Sequence, residues 1–542
     1  MSYRDPSHTN GYEFTQGSGY ELPEYPFVTP PELRGEAPGR YPVVIVGAGI
    51  TGLTLACSLA RLGVAAVVLD EDNTVGVKGA SSRGICYTQK SLEIFDRLGI
   101  YERMAAKGVQ WSVGRTFAGE HEVYRFDLRQ QGGFGLSVQP PFINIQQFYI
   151  EGFLVERIQE LAESSGRVDL RWRNRLTGFQ QQADHAVLTV ETPDGRYALE
   201  ADWVIACDGA RSPLRGMLGL EFEGELFEER FLIADIEMEA DFPRERWFWF
   251  EPGFHNGQSA LLHKQPDNIY RIDLQLGWDT DPEVEKQPER IIPRIEKVVG
   301  HKNFTLDWTS IYTFQCRRLR SFVHGPVLFV GDSAHIVSPF GARGGNGGLQ
   351  DVDALGWRLA AVVKGAQGAE ILSGYDRERI YGADENLMNS SRSTRFMSPE
   401  NGVERLFRDA VLHLASRADF ARPMVNSGRL SRPCTYPLTA PDADLPKAAR
   451  PGAVAPDAPL GDGWLLEALG RDFVVLALGQ DAPAVPGARS LAPAVNDHLR
   501  RRYLGDQPQA IYLIRPDQVV AARWISAKAD EITAAMTAAW GA

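Results

Sequence analysis

Long apolar runs are missing from this chain of 542 residues, so no membrane span is expected. Cysteine is scarce: Cys57, Cys86, Cys207, Cys316 and Cys434 make five, an odd total with no CxxC pair. That excludes a disulfide framework, a zinc ribbon and thiol redox chemistry, and it fits a reducing compartment. Ten histidines are dispersed without an HxH or HExxH cluster, and no metal centre is expected. Positive charge is short as well. With 57 Lys and Arg against 70 Asp and Glu, the formal net charge is −13, which disfavours nucleic acid and anionic membrane surfaces as partners. The first residues lack a basic stretch followed by an apolar core, so no secretory signal and a cytoplasmic location are expected. No internal repeat is visible.

What is present is a soluble globular composition, 44% hydrophobic and 23% charged, in a length that suits about three domains. Residues 1–40 are rich in Pro, Gly, Tyr and charge without periodicity, and read as an extended arm that wraps the body or stays mobile. Val43-Val44-Ile45-Val46 then reads as a buried strand, followed by a glycine turn, an apolar helix over 53–62 and a second strand over 65–69. That is a βαβ unit with parallel strands. It opens a domain expected over 41–219. Residues 220–317 differ: Glu245-Arg246-Trp247-Phe248-Trp249-Phe250 and the run from Tyr270 to Leu276 alternate, which predicts a half-buried, largely antiparallel sheet. Val327-Leu328-Phe329-Val330 restores a continuous apolar strand, and 348–363 reads as a helix closed by Lys364-Gly365. Residues 318–395 therefore complete the first domain around the inserted sheet. A helical segment and proline-rich linker follow over 396–447. A small α/β domain over 448–542 has strands at 473–478, 510–514 and 519–524 before a terminal helix.

Three segments carry chemistry. In Gly47-Ala48-Gly49-Ile50-Thr51-Gly52, glycines allow a tight turn, close approach to a pyrophosphate and close helix packing, and Asp70 ends the next strand where an acid would bond ribose hydroxyls. This segment alone does not separate NAD from FAD. Asp208 and Gly209, with Ser212 and Arg215, put a carboxylate and a guanidinium at a strand-end turn able to orient two nucleotides. The third runs from Gly331-Asp332-Ser333-Ala334-His335 through Pro339-Phe340-Gly341 to Gly348, with glycines that admit a flat ligand and backbone N–H groups at a helix start to face negative charge on it.

In this order the segments resemble the single-component FAD-dependent aromatic hydroxylases, the family of p-hydroxybenzoate, phenol and 3-(3-hydroxyphenyl)propionate hydroxylases; the resemblance is strong over 41–390. It implies an α/β fold in which a Rossmann-like FAD-binding domain is interleaved with a mostly antiparallel β-sheet substrate domain, plus a C-terminal thioredoxin-like domain, here without CxxC. It implies that Gly47, Gly49, Gly52, Asp70, Arg83 and Gln147 hold FAD, and that Asp208, Gly209 and Arg215 serve both FAD and the nicotinamide. Asp332 would bond the ribityl chain, while Pro339, Gly341, Gly344, Gly345 and Asn346 border the isoalloxazine. It further implies NADPH or NADH as co-substrate, O₂ addition at flavin C4a, oxygen transfer to an electron-rich ring of a small aromatic molecule, and a homodimer.

On the sheet, Arg271, His263 and Tyr270 are the candidate substrate-pocket residues, with Tyr270 alternating to the face opposite Arg271. Ile85 stands where the phenol hydroxylase branch has an aspartate, which turns the expectation toward a substituted phenol or a hydroxylated heteroaromatic acid. Two rivals are weighed. Trp247-Phe248-Trp249-Phe250-Glu251-Pro252 nearly matches the halogenase signature WxWxIP, but Glu251 replaces its isoleucine and the intact Asp208-Gly209 segment favours the hydroxylase. The other rival is a non-catalytic FAD-binding protein whose tail is an interaction module.

Overall fold

The apolar run after residue 40 folds as the strand Arg40–Val46, in which Val43, Val44 and Ile45 are fully buried. It is a central strand with parallel partners on both sides, Ala66–Leu69 and Gly195–Ala206, which explains a sequence that is apolar on both faces. Val168–Arg171 and Val327–Phe329 extend the parallel layer at its two sides. The antiparallel pair Arg175–Gln181 and Ala186–Thr192 and the short Val323–His324 complete eight strands. Helix Ile50–Arg61 packs against Gln147–Ser165 and Gly344–Val363. The computed structural model describes residues 11–13, 22–35, 39–76, 84–131, 137–165, 168–255, 258–276, 280–425 and 432–541.

Between Ala206 and Val327 the chain builds a second sheet. Its main path runs Gly11–Glu13, Thr305–Arg318, Glu223–Glu237, Ile269–Leu276, Ala260–Lys264, Glu245–Phe250, Val113–Ala118 and His121–Asp127. Only Glu245–Phe250 against Val113–Ala118 is parallel. Residues 113–127 come from within the first domain's sequence, and Gly11–Glu13 and the short His335–Ile336 also join this sheet, both against Thr305–Arg318. Val113–Ala118 forms a hairpin with His121–Asp127 and joins the sheet only through Glu245–Phe250, more than a hundred positions away, which local sequence does not announce. Alternation sorts the side chains. Leu232, Ala234, Trp249, Leu262, Tyr270, Ile272 and Leu274 share an outer core with Ile291 and Ile295 of helix Pro288–Val299. The intervening residues face the first domain.

Residues 22–35 wrap the body. Tyr25 stacks on Trp172 with centroids 4.5 Å apart, and Arg171 donates to Glu32 at 3.0 Å and to the Tyr41 hydroxyl at 2.8 Å. The tail holds a four-stranded sheet in the order Ala488–Leu491, Phe473–Leu478, Ala510–Ile514, Val520–Trp524, with the first pair parallel. One of its cores closes over Trp357 of helix Gly344–Val363, so the tail is docked on the first domain. Among the described residues no helix is long and apolar enough to cross a membrane.

Candidate functional site

The three segments meet at one place. Gly52 can begin helix Ile50–Arg61 only as glycine, since a Cβ there would stand 1.9 Å from the Gly47 carbonyl oxygen. A Cβ on Gly47, at φ 103°, would meet the Cys207 carbonyl oxygen at 2.5 Å, so the first segment lies against the second. Thr51 reaches the third: Cβ atoms on Gly331 and Gly348 would come within 2.8 and 2.7 Å of its methyl. Arg215 closes the triangle, donating from Nη1 to the Ser333 carbonyl at 3.1 Å and from Nη2 to the Ala210 carbonyl at 2.7 Å.

The site fits a dinucleotide bearing a flat ring system. Neither helix Ile50–Arg61 nor helix Gly344–Val363 has a side-chain cap, so their first N–H groups are left for a ligand. A Cβ on Gly209 or Gly345 would meet nothing within 4 Å, and one on Gly49 only Glu151 Oε1 at 3.9 Å. Asp208 Oδ2 accepts from the Leu214 N–H at 3.1 Å, while its Oδ1 is buried with no hydrogen-bond partner. Burial pushes this carboxyl up to about 6, against the opposing pull of Ser212, the Leu214 N–H and Arg215. Asp70 accepts from the Ala48 N–H at 2.6 Å and the Asp72 N–H at 2.9 Å, and burial pushes it up to about 7. An open cradle, uncapped helix starts and an orphaned acceptor are what FAD would complete, with Asp70 towards the ribose and the Gly344–Val363 start towards the ring.

The remaining expected residues divide. Gln147 takes the Gly84 N–H at 3.1 Å and donates to Glu151, whose other oxygen accepts the Gly76 N–H at 2.7 Å. Arg83, next to Gly84, lies outside the described residues. Asp332 and Pro339 are exposed beside the buried Ser333 and Ser338. Gly341 and Ala342 both have left-handed backbones, φ 85° and 54°, bending the loop just before Gly344. The side chain of Asn346 is hydrogen-bonded within the protein, which leaves its backbone at the helix start as the part able to border a ring. Its amide donates to the carbonyls of Cys86 and Ala342, at 2.8 and 2.7 Å, and its oxygen accepts from the Thr88 N–H and the Ser91 hydroxyl. It holds the loop rather than offering that side chain to a ligand.

Facing this loop is the inner face of the second sheet. Phe340 meets Phe231 edge-on with centroids 5.3 Å apart. In register across four strands stand Asp235, Arg271, His263 and Arg246; one step along come Ile233, Asp273, Leu261 and Phe248. Arg271 is bound by Asp235 through bonds of 2.7 and 2.8 Å, and this pairing outweighs burial to hold the guanidinium charged. His263 Nδ1 lies 3.8 Å from Cys86 Sγ; burial, with Arg246 and Arg271 alongside, lowers its pKa well below the ordinary range and keeps it neutral. Tyr270 takes no part. It lies in the outer core with its hydroxyl donating to the Ala240 carbonyl at 2.9 Å, because a neighbour of Arg271 in a strand must point the other way. Glu251, at φ 45°, accepts from Arg408 at 2.7 Å and ties the strand end to helix Gly402–Ala415.

Arg246, Asp273 and Cys86 reach the same face without having been singled out from the sequence. The signal was there. The alternation that puts Trp249 in the outer core puts Arg246, Phe248 and Phe250 inward, and the same rule sets Asp273 beside Arg271.

The family model described as FAD binding domain matches residues 40–390. A 3-(3-hydroxy-phenyl)propionate/3-hydroxycinnamic acid hydroxylase of Mycolicibacterium smegmatis is 27% identical over 70% of this chain and 65% of its own length. The Mycolicibacterium gilvum protein of the same name is 27% identical over 92% of this chain and 91% of its own. Among solved structures, the flavin-dependent monooxygenase PieE, in complex with FAD and substrate, superposes with a TM-score of 0.77 at 20% identity, covering 93% of this chain and all of that one. All three glycine segments fall within the matched residues, and the chain belongs to the FAD-binding domain family.

Proposed function

We propose that this protein hydroxylates a substituted phenol or hydroxylated heteroaromatic ring, using NADPH or NADH and O₂. Family membership and kinship make it a flavin-dependent monooxygenase of aromatic compounds with FAD as its cofactor. The observation that carries the substrate reading is the inner sheet face, set against the Phe340 loop with polar groups among aromatic ones. When bound, FAD supplies the redox chemistry, taking hydride from the nicotinamide and activating oxygen.

The chain's own residues do the rest. Asp70, Gln147 and the start of helix Ile50–Arg61 hold the dinucleotide, and Asp208, Gly209 and Arg215 orient it where the nicotinamide also visits. The Gly344–Val363 start sets N–H groups toward the ring where negative charge gathers. Phe231, Phe248 and Leu261, all buried, exclude water from the sheet face. Neutral His263 offers a hydrogen-bonding edge without charge.

Purified protein loaded with FAD should oxidise NAD(P)H faster when a phenolic acid or hydroxypyridine from a screen is added, with a product heavier by one oxygen atom. A halide-dependent product without such oxidation would overturn the reading.

The tail is taken as thioredoxin-like, supported by its mixed four-stranded sheet, with a structural role in the absence of CxxC. The division at 41–219, 220–317, 318–395, 396–447 and 448–542 is proposed with 113–127 reassigned to the substrate sheet. Val403, Leu406, Phe407 and Phe420 are large, apolar and 78, 71, 54 and 72% exposed, which supports a homodimer testable by sedimentation velocity. The free thiols suit a cytoplasmic site of action.

A further inference from the structure

A buried ionic core lies behind the third glycine segment, and the proposed reaction makes no direct use of it. Asp351 takes the Gly331 N–H on Oδ2 at 2.9 Å, and the same oxygen meets His335 Nε2 at 2.6 Å. Its other oxygen accepts from Arg379 Nε at 2.6 Å. Arg379 also donates from Nη2 to the Gly347 carbonyl at 3.2 Å. Gly331 opens the segment, and Gly347 lies in the first turn of helix Gly344–Val363. Both ends of the segment thus hang from one carboxylate and one guanidinium, each fully buried.

Arg379 has a further partner from far along the chain. Its Nη1 donates to the Tyr436 hydroxyl at 2.8 Å. Tyr436 belongs to the linker before the tail, yet its backbone is fixed to the tail itself. Its N–H donates to the Gly452 carbonyl at 3.0 Å, and the Gly452 N–H donates at 2.8 Å to the carbonyl of Val520, the first residue of strand Val520–Trp524. Gly452 has φ 83°, and a Cβ there would stand 1.9 Å from the Tyr436 carbonyl oxygen. A run of directed contacts therefore leads from a tail strand through Gly452, Tyr436 and Arg379 to the helix start proposed to face the ring. The tail has other anchors, the Trp357 core and the Arg515–Glu378 pair, so the Tyr436 hydroxyl is not required to dock it.

We propose that Arg379 and Tyr436 are positioning residues for the cofactor: Arg379 holds the Gly344–Val363 start against the flavin ring, and Tyr436 passes the position of the tail to Arg379. The inference rests on the cradle reading and gives the tail a part in setting the flavin. Negative charge gathers on the ring when it is reduced, so N–H groups held at the helix start favour the reduced form over the oxidised one. Loosening that start weakens the hold on reduced flavin more than on oxidised flavin. A role in folding alone would leave this difference untouched.

The test measures, on the full-length protein, FAD affinity and the reduction potential of bound flavin in the wild type, Arg379→Lys, Tyr436→Phe and the double variant. Arg379→Lys keeps a positive charge beside Asp351 but replaces the planar fork with a single ammonium, which cannot span Asp351, Gly347 and Tyr436 together. It should weaken reduced flavin about tenfold more than oxidised flavin, a potential lower by about 30 mV. Tyr436→Phe removes one hydroxyl and should give about a threefold difference, or about 15 mV, with an unchanged urea midpoint for the apoprotein. Because Tyr436 acts through Arg379, the double variant should match Arg379→Lys alone. Single variants with the wild-type potential, or full additivity in the double variant, overturn the proposal. If Arg379→Lys yields no folded protein, the potential of Tyr436→Phe decides. Wild-type apoprotein that takes up no FAD overturns the cradle reading as well, whereas FAD bound at an unshifted potential in the variants overturns this proposal alone.

Discussion

Arg215 donates a hydrogen bond of 3.1 Å to the carbonyl of Ser333, and its guanidinium lies 3.9 Å over the Phe222 ring. That one side chain fastens the turn after Gly195–Ala206 to the turn after Val327–Phe329. Both turns border the proposed cofactor cradle, so its loss should loosen cofactor more than fold. Arg215→Ala is expected to weaken FAD binding about tenfold, the scale of one charge-assisted hydrogen bond, in titrations of apoprotein followed by flavin fluorescence. An unchanged affinity would show that the two turns are held without it.

Two glycines should separate cradle from scaffold. At Gly345 a methyl would meet nothing of the protein within 4 Å, whereas at Gly52 it would stand 1.9 Å from a carbonyl oxygen. Gly345→Ala should therefore leave the apoprotein as stable or up to about 1 kcal/mol more stable, since alanine favours a helix, yet lower FAD affinity by filling the open space. Gly52→Ala should fail to yield folded protein. Thermal melts with and without FAD read both, and a Gly345→Ala protein that binds FAD normally would remove this helix start from the site.

The glycine segments were legible because each is a local device: a strand, a turn and a helix in immediate succession leave a mark in a few residues. The buried strands at 43–46 and 327–330 were legible for the same reason. What escaped was long-range. Val113–Ala118 has unremarkable alternation, and only its pairing with Glu245–Phe250 makes it part of the second sheet. Arg271 and Arg246 are alike in sequence, each between strand residues of alternating character. Their difference is Asp235, supplied by a strand some thirty-six positions earlier. Asn346 sits among glycines that suit a ligand, but Cys86, Thr88 and Ser91 arrive from far upstream and take its side chain.

Glu378 should govern how the tail stays docked. It accepts from Arg515 at 2.6 and 2.9 Å and from Arg358 at 2.9 Å, all of them buried, and Arg515 also binds Asp517. The neutral Glu378→Gln variant leaves two arginines with one remaining carboxylate. Breaking a buried ionic set by removing one partner costs about 3–5 kcal/mol. Urea unfolding of the variant should split into two transitions, with proteolysis entering the linker over 432–446 at lower denaturant than in the wild type. A single unshifted transition would place the docking energy in the Trp357 core instead.

Two buried acids should pull stability in opposite directions with pH. At Asp351 burial acts to raise the carboxyl, but His335 and Arg379 outweigh it and hold it below the usual range. Its contribution is present above the unfolded value and lost as pH falls through the folded one. Asp70 is the reverse. Burial pushes it up to about 7 although the Ala48 and Asp72 N–H groups favour its charge. Between about pH 4, where an unfolded aspartate titrates, and pH 7 the folded apoprotein therefore holds the extra proton, and stability must fall as pH rises through that window. Asp70→Asn removes this slope, so the apoprotein variant should match the wild type near pH 4 and exceed it at pH 8. FAD affinity should move the other way, lowered at pH 8 because the ribose loses a charged acceptor. Denaturant midpoints and flavin titrations at both pH values measure the two effects, and a variant less stable than the wild type at pH 8 would mean that Asp70 is charged and held there by its N–H donors.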